Sequence, residues 1–355
     1  MMKLTKFRIL LIILALVSII ITGCNNDNNK SKSNDQPLSR TEFMMDTILT
    51  LKIYDKKDNK ILDEAFSRLE EIEKRMSSTI EDSDVSLINK NAGIEPVQVH
   101  DDVYYVIEQA KHYASLSNRA FDPTIGPLVD LWNISGDEEQ TRDSIPTDEE
   151  IKSALALINS DDLELLEDNK VFLKRKGMKL ELGGIVKGYA ADEVKRIFKE
   201  NGVESAIIDL GGNIYAMGKK LDGSPWNIGI TNPYNPAASF VGILKAQDKS
   251  IVTSGDYERY FIYKGKRYHH IIDTNTGYPT ENQVTSVSII SDKSIDGDAL
   301  STTLFVLGVE EGLNLIDQLD GIEAIFITKD KKVIPSAGIK DHFTLSNEEF
   351  KLENQ

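Results

Sequence analysis

Four short stretches of this chain carry residue types suited to chemistry on an anionic substrate. Asp298 and Thr302 stand four apart, so a helix places a carboxylate and a hydroxyl on one face. Hard oxygen donors of this kind suit Mg2+ better than zinc, and the sequence holds no Cys/His cluster for the latter. The competing reading is structural: Asp298 caps its helix and Thr302 bonds back to a carbonyl. Glu181-Leu-Gly183-Gly184-Ile-Val-Lys187 joins a strand pattern to a helix pattern. A double glycine there lets backbone N–H groups approach a phosphate, with the helix N-terminus and Lys187 adding positive charge. Glycines at such a joint also serve as plain turns, and the segment is neither a Walker loop nor a dinucleotide fingerprint. His269 and His270 sit in an alternating run, so one faces a site and the other core or solvent. His270 is the candidate base. Ala120-Phe121-Asp122-Pro123-Thr-Ile-Gly-Pro127 reads as a fixed loop whose Phe121 either stacks on a ring or plugs the core.

These groups need elements to hold them. Leu62, Phe66, Leu69, Ile72 and Met76 recur at three and four residues and predict a helix over 58–78. A second helix is expected from Asp101 to about Ser117. Thr147 with Glu150 has the form of a capping box opening a helix through Ile158. Val171 to Leu182 reads as paired strands turning at Lys176-Gly177, and a helix follows the glycine pair to about Glu200. Strands are expected at Ile48 to Tyr54, Ala206 to Asp209, Trp226 to Ile230, Phe240 to Leu244, Tyr260 to Tyr263, Arg267 to Ile272 and Thr285 to Ile290. Helices over Ile295 to Leu307 and Glu310 to Leu319 precede a last strand pair, Ala324 to Thr328 and Lys332 to Pro335. Hairpins mixed with helices predict an α+β fold of mixed, largely antiparallel sheets flanked by helices. Glu181-Leu-Gly-Gly-Ile185 and Asp209-Leu-Gly-Gly-Asn213 echo one another and hint at a duplicated half.

The 355 residues, 40% hydrophobic and 28% charged, are ordinary for a globular chain. The start is different. Lys3, Lys6 and Arg8 precede an apolar run from Ile9 to Ile21, broken only by Ser18. A spanning helix needs roughly 20 apolar residues, so this shorter run reads as a signal peptide over 1–23. Cys24, the single cysteine, follows Ile21-Thr22-Gly23 in the form of a bacterial lipobox and is the expected lipidation site. One cysteine forms no internal disulfide. Residues 24–40 read as the lipidated cysteine and a flexible polar tether, and 41–350 as one folded domain. The expected location is extracytoplasmic, held to the cell membrane through the lipid anchor only. With 57 acidic against 41 basic residues in the whole chain, three of the basic ones in the leader, the body is a poor surface for nucleic acid or anionic lipid. An anionic substrate then requires a local cation, either a metal or a few placed basic groups.

Together these segments resemble the ApbE family of FAD:protein FMN transferases, from about Phe43 to Leu307. The shared motifs include Met45-Asp-Thr47, Asp82-Ser-Asp-Val-Ser86, Ala120 to Pro127, Leu182 to Ala190 and Gly211-Gly-Asn213. They continue with Pro225 to Ile230, Thr253 to Phe261, His270-Ile-Ile-Asp273 with Thr276-Gly-Tyr-Pro279, and Asp298 to Thr302. The resemblance implies an ApbE-like, T-fold-like, two-lobed single domain. It implies FAD contacts at Met45, Ala120, Phe121, Asp122, Glu181, Lys187 and Ile272. It implies Mg2+ ligands at Asp298, Thr302 and the carbonyl of Gly184, and a role in transfer for His270. The implied activity moves FMN from FAD to a Thr or Ser hydroxyl of an acceptor flavoprotein subunit and releases AMP. FAD hydrolysis to FMN and AMP, or flavin binding without chemistry, are the alternatives. The chain has Asp46 where the family often has glycine and Glu181 where it often has aspartate. Thr79 aligns where the family commonly stacks an aromatic ring on the flavin.

Overall fold

The computed structural model of the chain describes residues 36–134, 140–237 and 239–353; Cys24 and the apolar leader lie outside them. Its frame is a nine-stranded sheet in which neighbours in space are also neighbours in chain order. The strands are β1 Leu38–Met44, β2 Thr47–Ile53, β3 Ser205–Leu210, β4 Asn213–Gly218, β5 Lys249–Gly255, β6 Val284–Ser291, β7 Glu323–Thr328, β8 Lys332–Pro335 and β9 Lys351–Leu352. Every neighbouring pair is antiparallel except the last, β8 with β9. The α+β expectation holds.

Strand alternation divides the apolar side chains between two cores. Val287 and Ile289 of β6, with Ala324 and Phe326 of β7, face one; Ile290, Ile325 and Ile327 face the other. All eight residues of β6 are buried, as expected of a strand covered on both faces. The first core lies beneath the helices α1 Asn59–Met76, α3 Asp101–Leu116, α6 Val186–Glu200 and α7 Ser294–Ile316. The second is shared with a small sheet of Trp226–Thr231, Phe240–Ala246 and Phe343–Leu345. A third cluster, containing Leu128, Trp132, Ile151, Phe261, Tyr268 and Ile272, is built on the short helices α4 Gly126–Trp132 and α5 Asp148–Leu155 and on the Tyr260–Tyr263/Lys266–His269 hairpin. A further short helix, α2 Asp84–Lys90, precedes α3.

The periodic helices form where the spacing places them. In α1, Leu62, Leu69 and Ile72 are buried, and the Asp58 side chain caps the first turn by accepting the Lys60 N–H at 3.0 Å. Each such burial is worth about 1.5–3 kcal/mol. The Thr147/Glu150 capping box opens α5. The two expected C-terminal helices form within one run, Ser294–Ile316, and are separated by a break at Gly308, whose φ of 79° no other residue type adopts cheaply. This run is long and apolar enough to cross a membrane, yet Ala299, Leu300, Leu304 and Phe305 are buried in the first core.

Several expectations need correction. The folded part begins at Leu38, which packs against the first core, so Leu38 to Arg40 belong to a strand and not to the tether. Val171 to Leu182 is not a hairpin. Lys170–Leu173 pairs with the preceding strand Leu163–Leu166, through a turn at Asp168-Asn169 with φ of 59° and 51°. Three residues, Glu167-Asp168-Asn169, close this hairpin, the last two in the left-handed region and none of them a glycine. Gly177 does turn, with φ 91°, but the extended stretch after it makes only an isolated bridge from Lys179 to Ile125. The strand expected to reach Ile272 stops at His269. The helices α2 and α4 and the strands β1, β4 and β5 were not expected.

Candidate active site

One cavity gathers the loop Ala120-Phe121-Asp122, the bend Glu181, Gly183, Gly184 and Lys187, the residues His270 and Ile272, and the α7 pair Asp298 and Thr302. Met45 is the exception. It occupies the tight turn between β1 and β2, with φ 52°, and its N–H donates to Glu73 Oε1 at 2.7 Å. The turn still abuts the cavity, because Thr47 packs against Gly211, a wall residue.

The loop after α3 is held by its own carboxylate. Asp122, 3% exposed, accepts the Thr124 N–H at 2.9 Å and hydroxyl at 2.6 Å on one oxygen. The other oxygen accepts Arg119 Nε at 3.0 Å and the Ser160 N–H at 3.2 Å. Its side chain therefore fixes the loop that presents Phe121. The carbonyl of Pro123 accepts the Glu181 N–H at 2.8 Å, tying this loop to the glycine bend. Glu181 in turn accepts the Gly183 N–H at 2.8 Å and the Ser78 hydroxyl at 2.6 Å, which sets the bend against the end of α1. A Cβ on Gly184 would lie 3.2 Å from the Phe121 ring and 3.6 Å from Thr302 Oγ1, so bend, ring and α7 meet at that residue. At the echoing segment the Asp209 carboxylate accepts the Gly212 N–H at 3.0 Å in a β-hairpin turn, whereas Glu181 stands at a bend that leads into a helix.

Neither α6 nor α7 has a capping side chain at its own N-cap. Each is capped by the other. Asp298 of α7 accepts the Gly188 N–H of α6 at 2.8 Å, and Asp192 of α6 accepts the Ser294 and Ile295 N–H groups of α7 at 3.0 Å each. Orphan N–H groups at both starts are thereby satisfied. Gly188 allows the approach, since a Cβ there would lie 2.4 Å from the Ser294 carbonyl oxygen and 2.6 Å from the Ile295 Cα. Gly188→Ala should cost about 1–3 kcal/mol in urea unfolding, because backbone and not a flexible side chain must yield.

Asp298 is 5% exposed. Burial pushes its carboxyl pKa up, while the Lys187 cation and the N–H groups of Gly188 and Lys187 pull the other way. Beside it the α7 hydroxyls differ. Ser301 and Thr303 bond back to the carbonyls of Asp298 and Ala299 at 2.9 and 2.8 Å. Thr302 makes no such bond among the described residues, and its hydroxyl faces the cavity beside Gly184. A carboxylate, a free hydroxyl and the carbonyl of Gly184 are all oxygen donors. Among the described residues no cluster of three Asp, Glu, His or Cys side chains forms a complete cage. The set fits Mg2+, which keeps water and substrate phosphate in its shell, and not a metal held by protein alone.

His270 leaves the end of its hairpin and enters the cavity wall, while His269 turns into the core. His269 Nε2 lies 2.9 Å from the Thr280 carbonyl, its ring meets Phe305 edge-on, and burial pushes its pKa down to about 4. His270 Nδ1 lies 3.2 Å from the Arg259 carbonyl oxygen and donates to it, which leaves the Nε2 lone pair free. Burial first, then the neighbouring Arg259, His269 and Lys187, hold its pKa well below the usual imidazole value.

The wall holds groups that received no role in the sequence reading: Arg259, Asn213, Gly211, Thr253 and Trp132. Most stand inside motifs that the resemblance contains, but residue type alone gave none of them a task. Neither Lys187 nor Arg259 forms a salt bridge among the described residues, so two cations face the cavity of an acidic protein. Thr79 is absent from the wall; its N–H donates to Ser77 Oγ at 3.1 Å in the turn after α1. The aromatic wall residues are Phe121 and Trp132.

Residues 45–326 match the ApbE family. The chain belongs to that family. It is 37% identical over 333 residues to the FAD:protein FMN transferase of Treponema pallidum, spanning 89% of this chain and 91% of the relative. It is 38% identical over 306 residues to one from Klebsiella pneumoniae, spanning 86% and 93%. The flavin transferase ApbE from Vibrio cholerae superposes with a TM-score of 0.78 at 30% identity, covering 86% of this chain and 99% of that one. As an ApbE chain it shares the α+β fold of that structure, and its glycine bend, α7 face and cavity lie inside the matched region.

Proposed function

We propose that this FAD:protein FMN transferase moves the FMN half of FAD to a Thr or Ser hydroxyl of an acceptor flavoprotein subunit and releases AMP, with Mg2+ as cofactor. The observation that carries the reading is the meeting of the Gly183-Gly184 bend with Asp298 and Thr302 in one cavity with the cations Lys187 and Arg259. Asp298, Thr302 and the Gly184 carbonyl would hold the metal. When bound, Mg2+ neutralises charge on phosphoryl oxygens.

The chain's own groups do the rest. The Gly183-Gly184 bend and the Lys187 ammonium would orient the diphosphate. Phe121 borders the space beside the bend for the flavin. The acceptor hydroxyl oxygen bonds to the FMN-side phosphorus, the bond from that phosphorus to the AMP oxygen breaks, and AMP leaves with the electron pair. The hydroxyl proton passes to His270 Nε2, which is neutral and free to accept it. Met45, Ala120, Asp122, Glu181 and Ile272 complete the proposed FAD contacts, with Asp122 and Glu181 acting mainly by shaping the loop and bend they hydrogen-bond.

We place the enzyme outside the cytoplasm, anchored by lipid on Cys24, on the strength of the basic start, the apolar run and the lone cysteine. Its membrane contact is that anchor alone, and its acidic surface argues against nucleic acid. Purified chain incubated with FAD, Mg2+ and an acceptor bearing a Thr/Ser flavinylation motif should add one FMN to the acceptor by mass spectrometry, with AMP released in equal amount. Free FMN with an unmodified acceptor would identify a hydrolase instead, and no consumption of FAD a binding protein.

A further inference from the structure

Asn213 opens β4 and is 2% exposed. Its side-chain oxygen accepts the Ser294 hydroxyl at 2.6 Å, and Ser294 itself accepts the Ser250 hydroxyl at 2.8 Å. That chain of hydroxyls fixes which way the amide faces. The other end, Nδ2, is buried and has no hydrogen-bond partner among the described residues. Asn213 lines the same cavity as Lys187, Asp298 and Thr302. Thr280 and Thr285 also carry unpaired buried hydroxyls, but neither lines that cavity.

The location of this unused donor is specific. Ser294, Asp298 and Thr302 stand at i, i+4 and i+8 on α7, so they form one row along a helix face. Asn213 is fastened to the first member of the row that carries the two oxygen side chains. One helical turn is about 5.4 Å, so its amide sits roughly a turn from the Asp298 position along the axis. A buried donor left unpaired costs the folded state free energy, and such groups in a cavity are satisfied by what binds there. At the end of the cavity held by Lys187 and Asp298, the acceptors brought by a dinucleotide are phosphoryl oxygens.

We propose that Asn213 is a substrate contact whose side-chain N–H groups donate to the diphosphate of the bound dinucleotide; this rests on the flavin-transfer reading above. Ser294 and Ser250 are its positioning residues. The amide is uncharged, so it adds a directional contact to the two cations without burying a further charge.

The test compares ligands that differ in their phosphates. Dissociation constants for FAD and for riboflavin, which has no phosphate, are measured by flavin fluorescence with the full mature chain in Mg2+. Asn213→Ala should weaken FAD by about tenfold, equivalent to about 1.4 kcal/mol, and leave riboflavin within about twofold. Asn213→Asp keeps the shape and the acceptor for Ser294 but aims a carboxylate at the phosphates. It should weaken FAD by about a hundredfold, again with riboflavin unmoved, and it carries the test if the alanine variant does not fold. Equal losses for both ligands would show a structural role or a contact to the ring system, and unchanged FAD binding would remove the contact; either overturns the proposal. If wild-type chain flavinylates an acceptor while the variants bind FAD normally, only this inference fails. If wild-type chain binds no FAD, the functional reading fails with it.

Discussion

Asp298→Asn should fold, bind FAD, and transfer flavin on the order of a thousandfold more slowly than wild type. The amide oxygen of asparagine can still accept the Gly188 N–H that Asp298 accepts at 2.8 Å, so the cap on α6 survives. What disappears is the charge. A neutral amide beside the Thr302 hydroxyl gives a divalent cation a far weaker site, and the phosphoryl charge then has only Lys187 and Arg259 to meet it. Asp298→Ala differs in a useful way, because it also removes the cap and should lose about 0.5–2 kcal/mol of stability. Acceptor mass conversion measured across a Mg2+ titration, with urea unfolding of both variants, separates the two roles. A wild-type rate with unchanged Mg2+ dependence in the asparagine variant would exclude Asp298 as a ligand.

His270→Ala should lower the transfer rate by about 10²–10⁴ while the KM for FAD stays near wild type, since the loss falls on proton transfer and not on nucleotide contacts. The pH profile carries the finer expectation. Burial and nearby cations lower the pKa of His270, so its neutral form persists as pH falls below the ordinary imidazole value of 6.5. The base stays available, and the rate should remain level from pH 8 to about 6, falling only at lower pH. An unperturbed imidazole would lose half of its free base already near 6.5. Single-turnover rates across that range decide it. A midpoint at the ordinary value in wild type would overturn the lowered pKa, and an alanine variant at full rate with FAD bound would remove His270 from the chemistry.

What could be read from the sequence is what local spacing encodes. The period of α1, the Thr147/Glu150 box and the four-residue step from Asp298 to Thr302 are each written within one element, and each is found in the fold. The opposite fates of the two histidines also followed from alternation, although the strand ends at His269 and His270 lies beyond it. The misses share a cause. Asp192 and Asp298 cap one another's helices across more than a hundred residues of chain, and no periodicity marks such a partnership. Asn213 was visible only as the end of a glycine motif, because its importance depends on Ser294 lying beside it. The bonds from Asp122 to Arg119, Thr124 and Ser160, which fix the cavity loop, depend on tertiary structure in the same way. The turn at Asp168-Asn169 carries no glycine to mark it, while Gly177 bends the chain without starting a strand.

The sheet laid down in chain order has a consequence for biogenesis. The cavity wall runs from Ala120 to Thr302, and its last segment, α7, is made after six of the nine strands. A nascent chain that stops short of Asp298 owns the glycine bend and much of the wall but lacks the two α7 oxygen side chains. Flavin capture is therefore a late event in the life of the polypeptide, possible only when nearly the whole chain has emerged and found its shape. A chain threaded unfolded through a secretion channel would arrive empty and be loaded on the far side.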